Sequence, residues 1–118
     1  MRRLFAALGL LLCALPVLSA TVWVTEYTGA PPVSVFYQAV RAPAITSQTA
    51  SVTSSSVQSA VFNGNTGLVR VVCDVACLVE IGANPTATST SLRMSAGVAE
   101  YFVVTPGHRL AVIEAPTP

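Results

Sequence analysis

Lysine is absent from this chain of 118 residues, histidine occurs once, and charged side chains make up 9% of it. Ordinary soluble proteins carry about 25%. Beyond residue 20 the charges are Arg41, Arg70, Arg93 and Arg109 against Glu26, Asp74, Glu80, Glu100 and Glu114. That near-neutral balance supplies no basic patch for neutralising phosphates, which excludes nucleic-acid partners. A lone His108 and a CxxxC spacing in place of CxxC leave too few ligands for structural zinc and no thioredoxin-type redox pair. The glycine-bearing stretch Asn63-Gly64-Asn65-Thr66-Gly67 lacks the Lys-Ser/Thr ending of a phosphate loop and reads as a tight turn.

Catalytic constellations are missing in the same way. Glu26 and Glu100 stand alone in their segments, with no second carboxylate at a legible spacing. A Ser-His-Asp set would have to combine His108, most simply a turn residue after Pro-Gly, with Asp74. No nucleophile-elbow motif accompanies them. The sequence therefore predicts no enzyme, no catalytic residue, no metal and no cofactor.

What is present begins with a leader. MRRLFAALGLLLCALPVLSA has two arginines, an apolar run from Leu4 to Leu18, and small residues at Ser19 and Ala20. This is the layout of a secretory signal peptide over residues 1–20. The run is shorter than the 20 or so residues a membrane span needs, so any membrane contact is confined to the leader during export. Val17 and Leu18 are also residues that alternative bacterial start codons encode when read internally, and a start there makes the leader a mis-called extension. Export permits a disulfide, whereas a cytoplasmic protein starting at residue 17 or 18 would normally keep its thiols reduced.

Residues 21–118 read as a single all-β domain of about eight short antiparallel strands, a small sandwich or barrel. TVWVTEY (21–27) alternates, placing Val22, Val24 and Glu26 on one side and Trp23, Thr25 and Tyr27 on the other. VSVFYQAV (33–40), LVRVVC (68–73), CLVEIG (77–82), SLRMS (91–95), AEYFVV (99–104) and RLAVIE (109–114) are further strand candidates. Residues 42–59 are rich in Ser and Thr with recurring Ile45, Val52 and Val57; they form an arm or one or two edge strands, separable from the folded monomer and suited to pairing with a neighbour. Pro106-Gly107 is a natural type II turn centre. Trp23, Tyr27, Phe36, Tyr37, Tyr101 and Phe102 form either core or an aromatic binding platform, and alternation turns half of them inward.

Cys73 and Cys77 are two buried thiols or a disulfide. One straight strand would hold their Cα atoms about 13 Å apart, beyond bonding reach. A hairpin with Asp74-Val75-Ala76 as its loop brings them together and gives one wholly apolar face, Val69, Val71, Cys73, Cys77, Val79 and Ile81. It also sets Arg70 opposite Glu80 as an opposite-charge cross-strand pair.

Residues ATVWVTEY and SAVFNGNTGLVRVVCDVACLVEIGANPTATSTSLRMSAGVAEYFVVTPGHRLAVIE resemble small β-rich structural proteins, of head or decoration type, in tailed bacteriophages and prophages. The resemblance covers roughly residues 20–27 and 58–114 and is most specific over IGANPTATSTSLRMSAGVAEYF, residues 81–102. It does not extend to VSVFYQAVRAP, and such proteins usually begin near Ala20. It implies a non-enzymatic, virion-located protein that decorates or cements a capsid, with capsid or other virion proteins and further copies of itself as partners. The alternative expectation is a periplasmic or secreted β-sandwich binding module with a Cys73–Cys77 disulfide.

Overall fold

The computed structural model describes residues 20–29 and 42–116. The leader up to residue 19 and the strand candidate at 33–40, with Phe36 and Tyr37, lie outside the described residues. Eight strands follow one another: β1 (Ala20–Tyr27), β2 (Thr46–Val52), β3 (Val57–Gln58), β4 (Leu68–Cys73), β5 (Cys77–Gly82), β6 (Leu92–Met94), β7 (Glu100–Val103) and β8 (Arg109–Glu114). They form two four-stranded sheets, ordered β2-β1-β4-β7 and β3-β8-β5-β6, with every pairing antiparallel. The architecture is a sandwich.

Alternation decides which side chains meet between the sheets. Val22 and Val24 of β1, Val69, Val71 and Cys73 of β4, Cys77 and Val79 of β5, and Leu110 and Val112 of β8 are all buried in one core with Phe62 and Met94. Val22, Val24, Val69, Val71 and Cys73 of one sheet face Cys77, Val79, Leu110 and Val112 of the other, with Phe62 the one aromatic fully buried among the described residues. Each buried valine side chain contributes about 1.5–3 kcal/mol relative to exposure.

The expected 68–82 hairpin does not form. β4 and β5 belong to different sheets: Arg70 pairs with Thr25 and Tyr101, and Glu80 pairs with Ala111. The Arg70–Glu80 cross-strand pair is therefore corrected. Two strands that share an apolar face satisfy it equally as neighbours in one sheet or as facing strands across a core. Here the latter holds, and Asp74-Val75-Ala76 is an arch between sheets. Its lack of a glycine, a weakness for a tight hairpin, is no obstacle to an arch. The arch brings the cysteine Cα atoms to 6.4 Å, and their sulfurs are bonded.

The segment 42–59 is likewise not a separable arm. It supplies β2 and β3, one edge strand of each sheet, and Val52 is buried in the core. Its removal would take a strand from each sheet.

The pairings nest. β5 lies with β6, β4 with β7, β3 with β8, and β2 with β1. A long two-stranded ribbon rolled into two sheets nests in this way, which is jelly-roll order. One strand is displaced in sequence, since β1 fills the place that a strand following β8 would ordinarily take. The consequence is visible at the arch. The Asp74 carboxylate accepts the Thr21 N–H at 2.8 Å and the Asp74 N–H donates to the Thr21 carbonyl at 3.1 Å, while the Ala115 N–H donates to the Ala76 carbonyl at 3.0 Å. The start of β1 and the end of β8 are thus pinned on either side of one three-residue loop.

Candidate docking face

The outer faces of the two sheets are unequal. On the β3-β8-β5-β6 sheet, Leu78 and Ala111 point outward by register yet are buried. The loop 83–91 folds back over this sheet to its far edge. There the Gln58 amide donates to Asn84 Oδ1 at 2.9 Å and to the Pro85 carbonyl at 2.8 Å, and the Ala87 N–H donates to Ser56 Oγ at 2.9 Å. ANPTATSTS, a turn-former-rich loop in the sequence, is a cover for half of the molecule.

The β2-β1-β4-β7 sheet has no such cover among the described residues. Its outer face reads in rows across the strands. Thr49, Trp23 and Val72 form one row; Ser47, Thr25, Arg70 and Tyr101 the next; Tyr27, Leu68 and Val103 the third. Trp23 is 44% exposed, Tyr101 39% and Val103 87%. Arg70, at the centre, is flanked by uncharged Thr25 and Tyr101. The result is a largely apolar platform with one cation in its middle. Of the aromatic residues singled out in the sequence, Trp23, Tyr27 and Tyr101 belong to it by alternation, whereas Phe102 packs against the core.

The platform rests on a polar anchor that the sequence reading did not single out as a site. Glu26 follows Val22 and Val24 on the inward side of β1 and is 1% exposed. Its Oε1 accepts the Asn63 N–H at 2.7 Å and the Thr66 hydroxyl at 2.8 Å, and its Oε2 accepts from Gln48 Nε2 at 3.1 Å. Gln48 in turn holds Ala60 by both backbone groups. The carboxyl group so ties β1 and β2 to the Asn63–Gly67 turn. Its position in the alternation was the available signal. A buried carboxyl given over to three donors of this kind is a structural junction.

Other sequence candidates are dispersed. Asp74 sits in the arch beside the end of β8, and His108 precedes the start of β8. Five steps of strand separate those ends, roughly 17 Å, so the two do not form a triad. His108 closes the Thr105–His108 turn through its N–H on the Thr105 carbonyl at 3.1 Å. Gly107 takes φ of 82° there, and with Pro106 before it the turn is type II, as the sequence implies. A groove of about 230 Å³ opens between β6 and β7, lined by Val79, Glu80, Ile81, Ser91, Leu92 and Phe102. Glu80 Oε2 accepts the Ser91 hydroxyl there at 2.9 Å. Among the described residues, no three His, Cys, Asp or Glu side chains converge on a metal position.

The described residues thus form a small two-sheet β-sandwich in jelly-roll order, with one sheet face covered and the other left bare by them. No protein-family model, curated protein or solved structure matches the chain, so the jelly-roll assignment rests on strand order alone.

Proposed function

We propose that this chain is a non-enzymatic structural protein of a phage particle, a small sandwich that decorates or cements a capsid by laying its bare sheet face on a neighbouring subunit. The observation that carries this reading is the contrast between the two faces. One sheet is covered by the chain's own loop, while the other leaves Trp23, Tyr101 and Val103 in solvent. Removing such side chains from water is favourable by about 25 cal/mol per Å² of apolar surface, and several of them on one sheet face support an interaction surface. Uncompensated Arg70 at its centre fits an acidic group on the partner. The hydroxyl-rich, weakly charged remainder of the surface also suits a subunit held inside an assembly. Jelly rolls occur among capsid proteins, though equally among lectins, so fold alone does not choose a function. The resemblance of residues 20–27 and 58–114 to phage head proteins is what supports the capsid reading over the lectin-like one.

A second reading is supported by the Cys73–Cys77 bond together with the leader at residues 1–20. Disulfides persist in oxidising compartments, and an exported sandwich could use the same face to bind its ligand.

Both readings are separated by particles purified from the host that encodes the chain. The virion reading expects the protein in the particle fraction, starting near residue 17–20. Val103→Glu and Trp23→Glu should release it from particles while leaving its circular dichroism unchanged. A chain found processed in the periplasm or medium and absent from particles would overturn the virion reading in favour of the binding module.

A further inference from the structure

Each sheet of an open sandwich ends in strands whose outer backbone groups lack a ladder, and natural proteins guard such edges with charge, proline or brevity. Among the described residues, three of the four edges are guarded. β3 is two residues long, β6 is three residues with Arg93 in the middle, and β7 is four residues beginning at Glu100. The fourth, β2, is TSQTASV: seven residues with no charge, no proline and no glycine.

The direction of its backbone groups follows from the ladder. The Asp74 N–H donates to the Thr21 carbonyl, so Thr21 bonds toward β4. Antiparallel pairing alternates, and Val22, Val24 and Glu26 therefore bond toward β2. The Ile45 N–H on the Glu26 carbonyl at 2.7 Å continues that phase. Their partners Ala50, Gln48 and Thr46 are engaged with β1. Ser47, Thr49 and Ser51 then direct their N–H and C=O groups away from the sheet, and all three are exposed.

We infer that β2 is a self-pairing edge: two copies join antiparallel through it, with Thr49 opposite Thr49 and Ser47 opposite Ser51 of the second copy. The occupant is a second copy because the exposed triplet Ser47, Thr49, Ser51 is symmetric about its centre. Antiparallel self-pairing sets hydroxyl against hydroxyl at each of these three outward positions, a favourable cross-strand combination. The two-fold arrangement closes on itself. It forms about six main-chain hydrogen bonds and fuses two four-stranded sheets into one of eight strands. The Trp23 residues then lie about 14 Å apart, three strand spacings, on one continuous outer face. The inference is independent of what that face docks onto.

Sedimentation equilibrium of the purified full chain across a wide concentration series tests it. Twice the chain mass is expected, with amides of Ser47, Thr49 and Ser51 protected from hydrogen exchange. Thr49→Pro removes only an outward N–H and should give a monomer with unchanged circular dichroism. A charge pair checks the register should that variant unfold. Ser47→Lys with Ser51→Lys opposes like charges and should separate the copies, whereas Ser47→Lys with Ser51→Glu opposes unlike charges and should keep them together. A protein that is monomeric throughout, or two charge variants that associate equally, would overturn the self-pairing edge.

Discussion

Cys73 ends a strand of one sheet, Cys77 begins a strand of the other, and the bond between their buried sulfurs joins the two layers across a three-residue arch. The same arch holds the beginning of β1 through Asp74 and the end of β8 through Ala76. A further arch is tied in as well, since the Gly97 N–H donates to the Cys73 carbonyl at 2.7 Å. One end of the sandwich is therefore organised around these two cysteines.

A cross-link between residues so close in sequence restricts the unfolded chain only modestly. Loop-closure entropy puts it at about 2 kcal/mol. Urea unfolding of the oxidised protein, the reduced protein and the Cys73→Ala, Cys77→Ala variant should show that loss, with the fold retained. Identical midpoints with and without reductant would mean that the bond does not constrain the domain.

Glu26 is expected to be the most sensitive polar position. Glu26→Ala leaves the Asn63 N–H and the Thr66 hydroxyl facing a void, at about 2–4 kcal/mol. Glu26→Gln should cost less, about 1–2 kcal/mol, because it keeps one oxygen for Asn63 and Thr66. Its new amide group then meets the amide of Gln48, which cannot turn without losing Ala60. Thermal or urea denaturation that ranks Gln as damaging as Ala would contradict this geometry.

Two glycines of the 63–67 turn should respond unequally. A Cβ on Gly67 would stand 2.8 Å from the Thr28 carbonyl oxygen, a backbone atom that cannot rotate aside, whereas one on Gly64 meets nothing within 4 Å. Gly67→Ala should lower stability by about 1–3 kcal/mol and Gly64→Ala by no more than about 0.5 kcal/mol. Melting curves of the two variants decide the point.

Trp23→Ser and Val103→Ser change the bare platform without touching the core. Each should alter stability by less than about 1 kcal/mol. A larger loss on chemical denaturation would show that these side chains support the fold and are not held in reserve for a partner.

Strand positions and their inward sides were legible in the sequence because they depend on near neighbours. A period of two marks β1, β4 and β8, and the turn formers at 63–67 and 106–107 act within a few residues. Even the edge character of 42–59 showed in its hydroxyl-rich, weakly apolar composition, which suits a strand with one partner. The assignment of strands to sheets was not legible. An apolar stripe such as Val69, Val71, Cys73 is satisfied equally by a strand beside it or a strand facing it, so the pattern around the cysteines fits a hairpin and an arch alike. Tertiary packing chose the arch, because placing β4 and β5 in opposite layers lets each gain two ladder neighbours while their apolar sides face one another. The same packing decided that Glu26 finds three donors, that the 83–91 loop covers one sheet, and that Trp23, Tyr101 and Val103 remain outside. Sequence by itself determined which residues want to be buried; only the three-dimensional ordering of the strands determined against what.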